Sequence, residues 1–175
     1  ADSERGARQQ LRERGLARFS DYLALVQTDK QERAAMVVAL TTNHTYFFRE
    51  GHHFDHVRDH LLPQLQQRAK AGQKVRIWSA GCSSGEEVYS LAMTLAGETQ
   101  ASAEWLMKSD VRLLATDIAP HVVEAVSAGR YASSAVEPIP AAYRRRWLSD
   151  DGFDYHKVSP ELRQLVTARV LNLFG

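Results

Sequence analysis

Two short stretches carry the residue types that can do chemistry. One is Gly81-Cys82-Ser83-Ser84-Gly85, followed at once by Glu86 and Glu87; the other is Asp117, which closes the run Val111-Arg112-Leu113-Leu114-Ala115-Thr116. Small residues at 81–85 let a ligand approach the backbone closely. Only Gly81 and Gly85 are glycines there, so the stretch is not the Gly-x-Gly-x-x-Gly dinucleotide fingerprint. A helix opening at Glu86 offers its N-terminus to an anion, yet two carboxylates at that end repel a pyrophosphate and favour a cation. Asp117 at a strand tip has the acceptors to hold both hydroxyls of a ribose. A nucleoside that is positively charged and lacks phosphate satisfies both places, and S-adenosylmethionine fits that description. The plain alternative is that Glu86, Glu87 and Asp117 serve only a helix dipole and a turn.

Other chemistries are less complete. The same glycine stretch spells the Gly-x-Ser-x-Gly nucleophile elbow of a serine hydrolase, with Ser83 as nucleophile. That enzyme needs a later acid and histidine, and neither His121 nor His156 ends an identifiable late strand. Carboxylates at 86 and 87 would also oppose an oxyanion. Cys82 reads as a small turn residue, because neighbouring carboxylates raise a thiol pKa. His52, His56 and His60 recur every fourth residue, but no Cys or carboxylate cluster completes a metal-ligand set. No metal is expected.

The elements that must position these residues follow from periodicity. Residues 1–40 read as helical, broken at Gly15, with a second run over Gln31–Leu40. Thr41-Thr42-Asn43-His44-Thr45 interrupts that pattern with side chains that compete for helical hydrogen bonds. Helical spacing resumes from Tyr46 to Lys70, and Ala71-Gly72 stops it. Beyond Gly72 the pattern becomes strand (Val75–Ala80), glycine turn, helix, strand (Val111–Thr116), then a helix opened by Pro120. Between Ala132 and Val166 a short helix and a hairpin are expected, and Val170–Phe174 reads as a further central strand. Strand alternating with helix implies parallel pairing and a doubly wound α/β sheet.

Composition narrows the class. The 175 residues hold 22 Lys+Arg against 21 Asp+Glu, a net charge of +1 that argues against nucleic-acid binding by bulk charge. One Cys rules out an intramolecular disulfide framework and fits a reducing compartment. No apolar run approaches the roughly 18 residues that span a bilayer, and the first residues are charged, unlike a signal peptide. The expectation is a cytoplasmic protein, neither secreted nor inserted in a membrane.

Four ordered motifs give the chain a family likeness. They are Thr41-Thr42-Asn43-His44-Thr45-Tyr46-Phe47-Phe48-Arg49-Glu50, His52-His53-Phe54, Arg76-Ile77-Trp78-Ser79-Ala80-Gly81-Cys82-Ser83-Ser84-Gly85-Glu86-Glu87-Val88-Tyr89-Ser90 and Ala115-Thr116-Asp117-Ile118. Gly129-Arg130-Tyr131 and Val170-Leu171-Asn172-Leu173 extend the match. In these the chain resembles the chemotaxis receptor methyltransferases of CheR type.

The resemblance implies a Rossmann-like S-adenosylmethionine-dependent methyltransferase domain over residues 41–175, with a small antiparallel β subdomain at about 147–170. A helical N-terminal domain over residues 1–40 precedes it. It implies methyl transfer from S-adenosylmethionine to glutamate side chains on the cytoplasmic helical bundle of chemoreceptors, leaving S-adenosylhomocysteine. By position, Asn43, Thr45, Arg49, Gly81, Glu87, Asp117, Asn172 and Leu173 correspond to the cofactor side, and Arg49 to a group that orients the acceptor carboxylate or the cofactor. The basic N-terminal helix, with Arg8, Arg12 and Arg14, corresponds to a face that docks on the acidic receptor. The hairpin at Ser149–Asp154 is short, so methylation without a pentapeptide tether is expected. The family's next motif, an Arg-Asn pair before Ile-Tyr-Phe, lies beyond Gly175, so the resemblance further implies a chain cut at both ends, with a partial pocket and no activity of its own. A non-catalytic S-adenosylmethionine-binding signalling module is the alternative from another class.

Overall fold

The computed structural model describes residues 14–16, 18–40 and 44–173, and the chain divides into two compact units, Ala1–His44 and Thr45–Gly175. Asn43, Arg8 and Arg12 lie outside the described residues.

In the first unit, helix α1 (Phe19–Thr28) and helix α2 (Lys30–Leu40) meet at Asp29. Asp29 donates its backbone N–H to Leu25 O (2.8 Å), while its Oδ1 accepts from the N–H groups of Gln31 (2.8 Å) and Glu32 (3.2 Å). One residue thus ends one helix and caps the next. Glu32 is only 2 % exposed, and its Oε2 pairs with Arg14 Nη2 at 2.6 Å.

The second unit opens with helix α3 (Gly51–His56), which runs through a π-helical turn, Val57–Leu61, into α4 (Leu62–Lys70). The expected start at Tyr46 is corrected. Phe48 and Glu50 take left-handed backbone angles, φ 56° and 55°, so residues 46–50 form a turn ahead of the helix. Aromatic anchoring decides this against helical spacing: Phe48 stacks on Tyr143 with ring centroids 5.6 Å apart, and Phe47 is fully buried.

The chain continues through β1 (Val75–Ala80), α5 (Glu86–Ala96), α6 (Gln100–Lys108), β2 (Val111–Asp117) and α7 (Pro120–Ala128). Next come β3 (Arg130–Ala132), α8 (Ser133–Val136), α9 (Ala141–Trp147), β4 (Leu148–Asp150), β5 (Tyr155–Val158), α10 (Pro160–Leu165) and β6 (Val166–Val170). A parallel sheet has the order β1-β2-β6, and a small antiparallel sheet has the order β3-β5-β4. This is a mixed α/β fold with a parallel sheet, consistent with the Rossmann-like expectation. The antiparallel sheet draws its strand β3 from Arg130–Ala132, upstream of the hairpin.

The last parallel strand lies four residues before the expected Val170–Phe174. Val166 and Ala168, half-buried, alternate with exposed Thr167 and Arg169, so this strand is amphipathic and lacks the apolar run of a fully covered one. In the parallel sheet, Val75, Val111, Leu113 and Ala115 are buried in the core with Val88, Ala92, Met93, Val126, Leu162 and Leu165. On the opposite face Trp78 is 54 % and Leu114 37 % exposed among the described residues.

Candidate functional site

The sheet register brings the carboxyl ends of β1, β2 and β6 together: Ala80 pairs with Thr116, and Asp117 with Val170. Asp117 joins the three. Its Oδ2 accepts the backbone N–H of Ser83 (2.9 Å) and its Oδ1 that of Ala119 (3.0 Å), while its carbonyl accepts the N–H of Leu171 (2.9 Å). The chain carrying Asn172 and Leu173 therefore leaves β6 alongside Asp117. Because the strand ends at Val170, both residues stand outside the carboxyl end of the sheet, where ligands of open α/β folds bind.

The glycine turn has two different glycines. Gly81 has φ 68°, and a Cβ built on it meets no atom within 4 Å, so its backbone faces open space. Gly85 has φ 98°, and a Cβ there would lie 2.9 Å from both Tyr131 Oη and Val126 Cγ2. Gly81 leaves room for a ligand, whereas Gly85 lets helix α5 close against its neighbours. Tyr131 secures the turn by donating to Ser84 O at 2.7 Å.

Each acid at the start of α5 has its own serine. Ser84 Oγ donates to both carboxylate oxygens of Glu86 at 2.8 Å, and Glu86 is buried. Ser79 Oγ, from β1, donates to Glu87 Oε1 at 2.6 Å, and Glu87 stays exposed. Two carboxylates at a helix N-terminus are favoured by the dipole and leave the turn negative. Burial, reinforced by Asp117, Glu87 and Glu86, pushes the Cys82 thiol up to about 11, so it is neutral at physiological pH and no nucleophile. Ser83, in the left-handed region at φ 48°, is 8 % exposed, and its Oγ has no hydrogen-bond partner among the described residues. The hydrolase elbow is therefore not assembled, since no base reaches that hydroxyl.

Arg49 is exposed on the turn before α3, with its guanidinium 6.0 Å from the Tyr46 ring centroid. The neighbouring Phe48 N–H donates to Ser90 Oγ of α5 at 2.9 Å, which seats this turn on the helix that begins with Glu86 and Glu87. Thr45 is half-buried just upstream. Arg14 lies in the other unit, on Glu32. Among the described residues no group of three or more His, Cys, Asp and Glu side chains is placed to hold a metal ion. His56 and His60 do lie together, ring centroids 4.7 Å apart, while Arg58 occupies Asp55 and Asp59.

Sequence reading alone passes over Ser79 and Ser90, and weighs the Ser83 hydroxyl only as a hydrolase nucleophile. A signal existed for Ser90: it falls four residues after Glu86 on a helix whose inward positions are mostly apolar, and it is wholly buried. A serine there needs a partner. Ser79 carried no such mark.

The chain matches the family described as CheR methyltransferase, SAM binding domain, over residues 43–175. It is 41 % identical over 170 residues to a probable chemotaxis protein methyltransferase of Rhizobium etli, covering 94 % of this chain and 62 % of that protein. A chemotaxis protein methyltransferase of Borreliella burgdorferi is 32 % identical, covering 93 % and 58 %. Chemotaxis protein methyltransferase 1 of Pseudomonas aeruginosa is 33 % identical, covering 93 % and 60 %. The chain thus spans about three fifths of the length of these curated relatives.

Proposed function

The chain belongs to the CheR methyltransferase family, whose matched domain binds S-adenosylmethionine as methyl donor, and from that premise we propose that it methylates glutamate side chains of chemoreceptors. The observation that supports this reading most is the meeting of the open Gly81 backbone, the fixed Asp117 carboxylate and the Leu171–Leu173 chain at one edge of the sheet. The buried, unpartnered Ser83 Oγ and the space above Gly81 fit a ligand at this edge. When bound there, the sulfonium supplies an electrophilic methyl group.

The roles of this chain's own residues follow. Asp117 has both oxygens steered by backbone N–H groups, and each keeps a free lone pair for a ribose hydroxyl. Glu87, oriented by Ser79, offers a carboxylate to the cationic end of the cofactor. Asn172 and Leu173 are assigned to the adenosine side and Thr45 to the cofactor contacts, while Asn43, expected among those contacts, lies outside the described residues. Arg49 orients the acceptor carboxylate or the cofactor, its fork suited to holding an oxygen pair. A glutamate acceptor is already ionised at neutral pH, so no general base is required. Rate then comes from aligning acceptor, methyl and sulfur in a water-poor site.

The whole protein is proposed to work in the cytoplasm on the receptor's helical bundle, docking through the basic stretch of Arg8, Arg12 and Arg14 and without a pentapeptide tether. No helix among the described residues is long and apolar enough to cross a membrane. Calorimetric titration of the full-length protein with S-adenosylhomocysteine tests the pocket: binding that is lost in Asp117→Ala with the fold retained supports it, and no binding by the unsubstituted full-length protein sinks it. Transfer of labelled methyl to a receptor cytoplasmic fragment then separates an enzyme from a non-catalytic signalling module. Tight binding of a tether pentapeptide would overturn tether independence.

A further inference from the structure

We infer that Ser90 is a positioning residue for Arg49, acting through one hydroxyl that ties the Arg49 turn to the helix lining the cofactor groove. This rests on the reading of that groove as the S-adenosylmethionine site.

Ser90 is 0 % exposed. Its Oγ donates to Glu86 O, one turn back in α5, at 2.7 Å, and accepts the Phe48 N–H at 2.9 Å. A hydroxyl has one donor and two acceptor sites, so both bonds are satisfied together. The donated bond aims the free lone pairs away from the helix axis, toward residue 48. Phe48 needs that acceptor, because its left-handed backbone takes its N–H out of any helix. Arg49 follows directly, between two left-handed residues, with its own N–H on Tyr46 O at 3.3 Å. Arg49 stands outside the helical ladder, and the anchors of residues 47 and 48 carry its backbone.

The anchors lead back to the groove by two routes. Phe48 N–H reaches α5 through Ser90, one turn beyond Glu86. Phe47 packs edge-on against Tyr131 with centroids 4.9 Å apart, and Tyr131 bonds Ser84 O of the glycine turn. The Phe47 route is apolar contact, tolerant of small shifts, whereas the Ser90 route is a directional bond that fixes the register of the turn on α5. Ser90 therefore sets where Arg49 stands relative to Glu87, and touches no substrate or cofactor atom itself.

The test is a double-mutant cycle on S-adenosylhomocysteine affinity, measured by calorimetry with circular dichroism as the check on folding. Ser90→Ala removes the acceptor and is expected to weaken binding about tenfold. In an Arg49→Ala background the same change is expected to alter Kd by less than about twofold, since the residue it positions is gone. Equal losses in both backgrounds, or no loss in either, overturn the inference, because a merely structural serine would act regardless of Arg49. If Ser90→Ala fails to fold, Ser90→Cys keeps the shape with a weaker acceptor and is read the same way. A full-length wild-type protein that does not bind the ligand overturns the groove assignment and this inference together. One that binds while Ser90→Ala binds equally well removes this inference alone.

Discussion

Asp117 shows how much of this site rests on one carboxylate. Its side chain is 7 % exposed and is hydrogen-bonded by backbone N–H groups on both oxygens. Removing it strands two donors, so Asp117→Ala should lower stability by about 1–3 kcal/mol per stranded group, an upper limit that water entry reduces. A binding assay on that variant therefore belongs below its lowered unfolding midpoint. Cys82 gives a pH dependence that can be worked out in sign. Burial raises its thiol from about 9 to about 11, so the fold favours the protonated form. That stabilisation is whole below pH 9 and is lost as pH rises through 11. Denaturant unfolding at pH 8 and pH 10.5 should show lower stability at the higher pH, and Cys82→Ala should show a smaller drop. An unchanged drop in Cys82→Ala would assign it to other groups, foremost the buried hydroxyls of Tyr89, pushed up to about 12, and Tyr131, pushed by burial well above the usual tyrosine range. The acids beside Cys82 were legible in the sequence, but the first cause of its shift is burial, which only the packing reveals.

At the scale of elements, the glycine turn separates two functions that its sequence presents alike. Both Gly81 and Gly85 have positive φ, yet only Gly85 is crowded by neighbours. Gly81→Ala should cost only the backbone strain of a left-handed residue, about 1–2 kcal/mol. It should still weaken S-adenosylhomocysteine at least about tenfold, because the methyl fills the space a ligand needs. Gly85→Ala adds a clash with Val126 and Tyr131 to the same strain and should destabilise by a further 1–3 kcal/mol or so. Thermal unfolding of the two variants, paired with calorimetry, checks the contrast; equal stability losses would refute it. The strand-turn-helix order was readable because the change of period at Gly72 is abrupt. Strand β6 was misplaced because Thr167 and Arg169 face outward, so its pattern alternates where a buried parallel strand would be continuous. The turn at 46–50 was missed because Phe47 and Phe48 sit at helix-compatible spacing while their partners, Tyr131 and Tyr143, lie far along the chain. Tertiary contacts of that kind leave no local trace.

For the whole molecule, a net charge of +1 hides how the charges are committed. Arg14 was read as part of a basic docking face, and its guanidinium is in fact bonded to a carboxylate that is 2 % exposed. Truncating Arg14 would leave Glu32 buried without its ion partner, so Arg14→Ala should destabilise the helical unit by about 1–3 kcal/mol. A loss of methylation in that variant would then say nothing about docking. The salt dependence of the unsubstituted protein is the cleaner measurement, since exposed charges are screened over about 8 Å at physiological ionic strength while a buried pair is screened far less. If a basic surface steers association with an acidic receptor, kcat/KM for methylation should fall several-fold between about 50 and 300 mM salt, carried mainly by the association rate. Thermal stability should move little over the same range. Arg8→Ala and Arg12→Ala should reduce that salt dependence. A kcat/KM indifferent to salt would place receptor recognition outside this basic stretch, leaving its charge to the solvent and to Glu32.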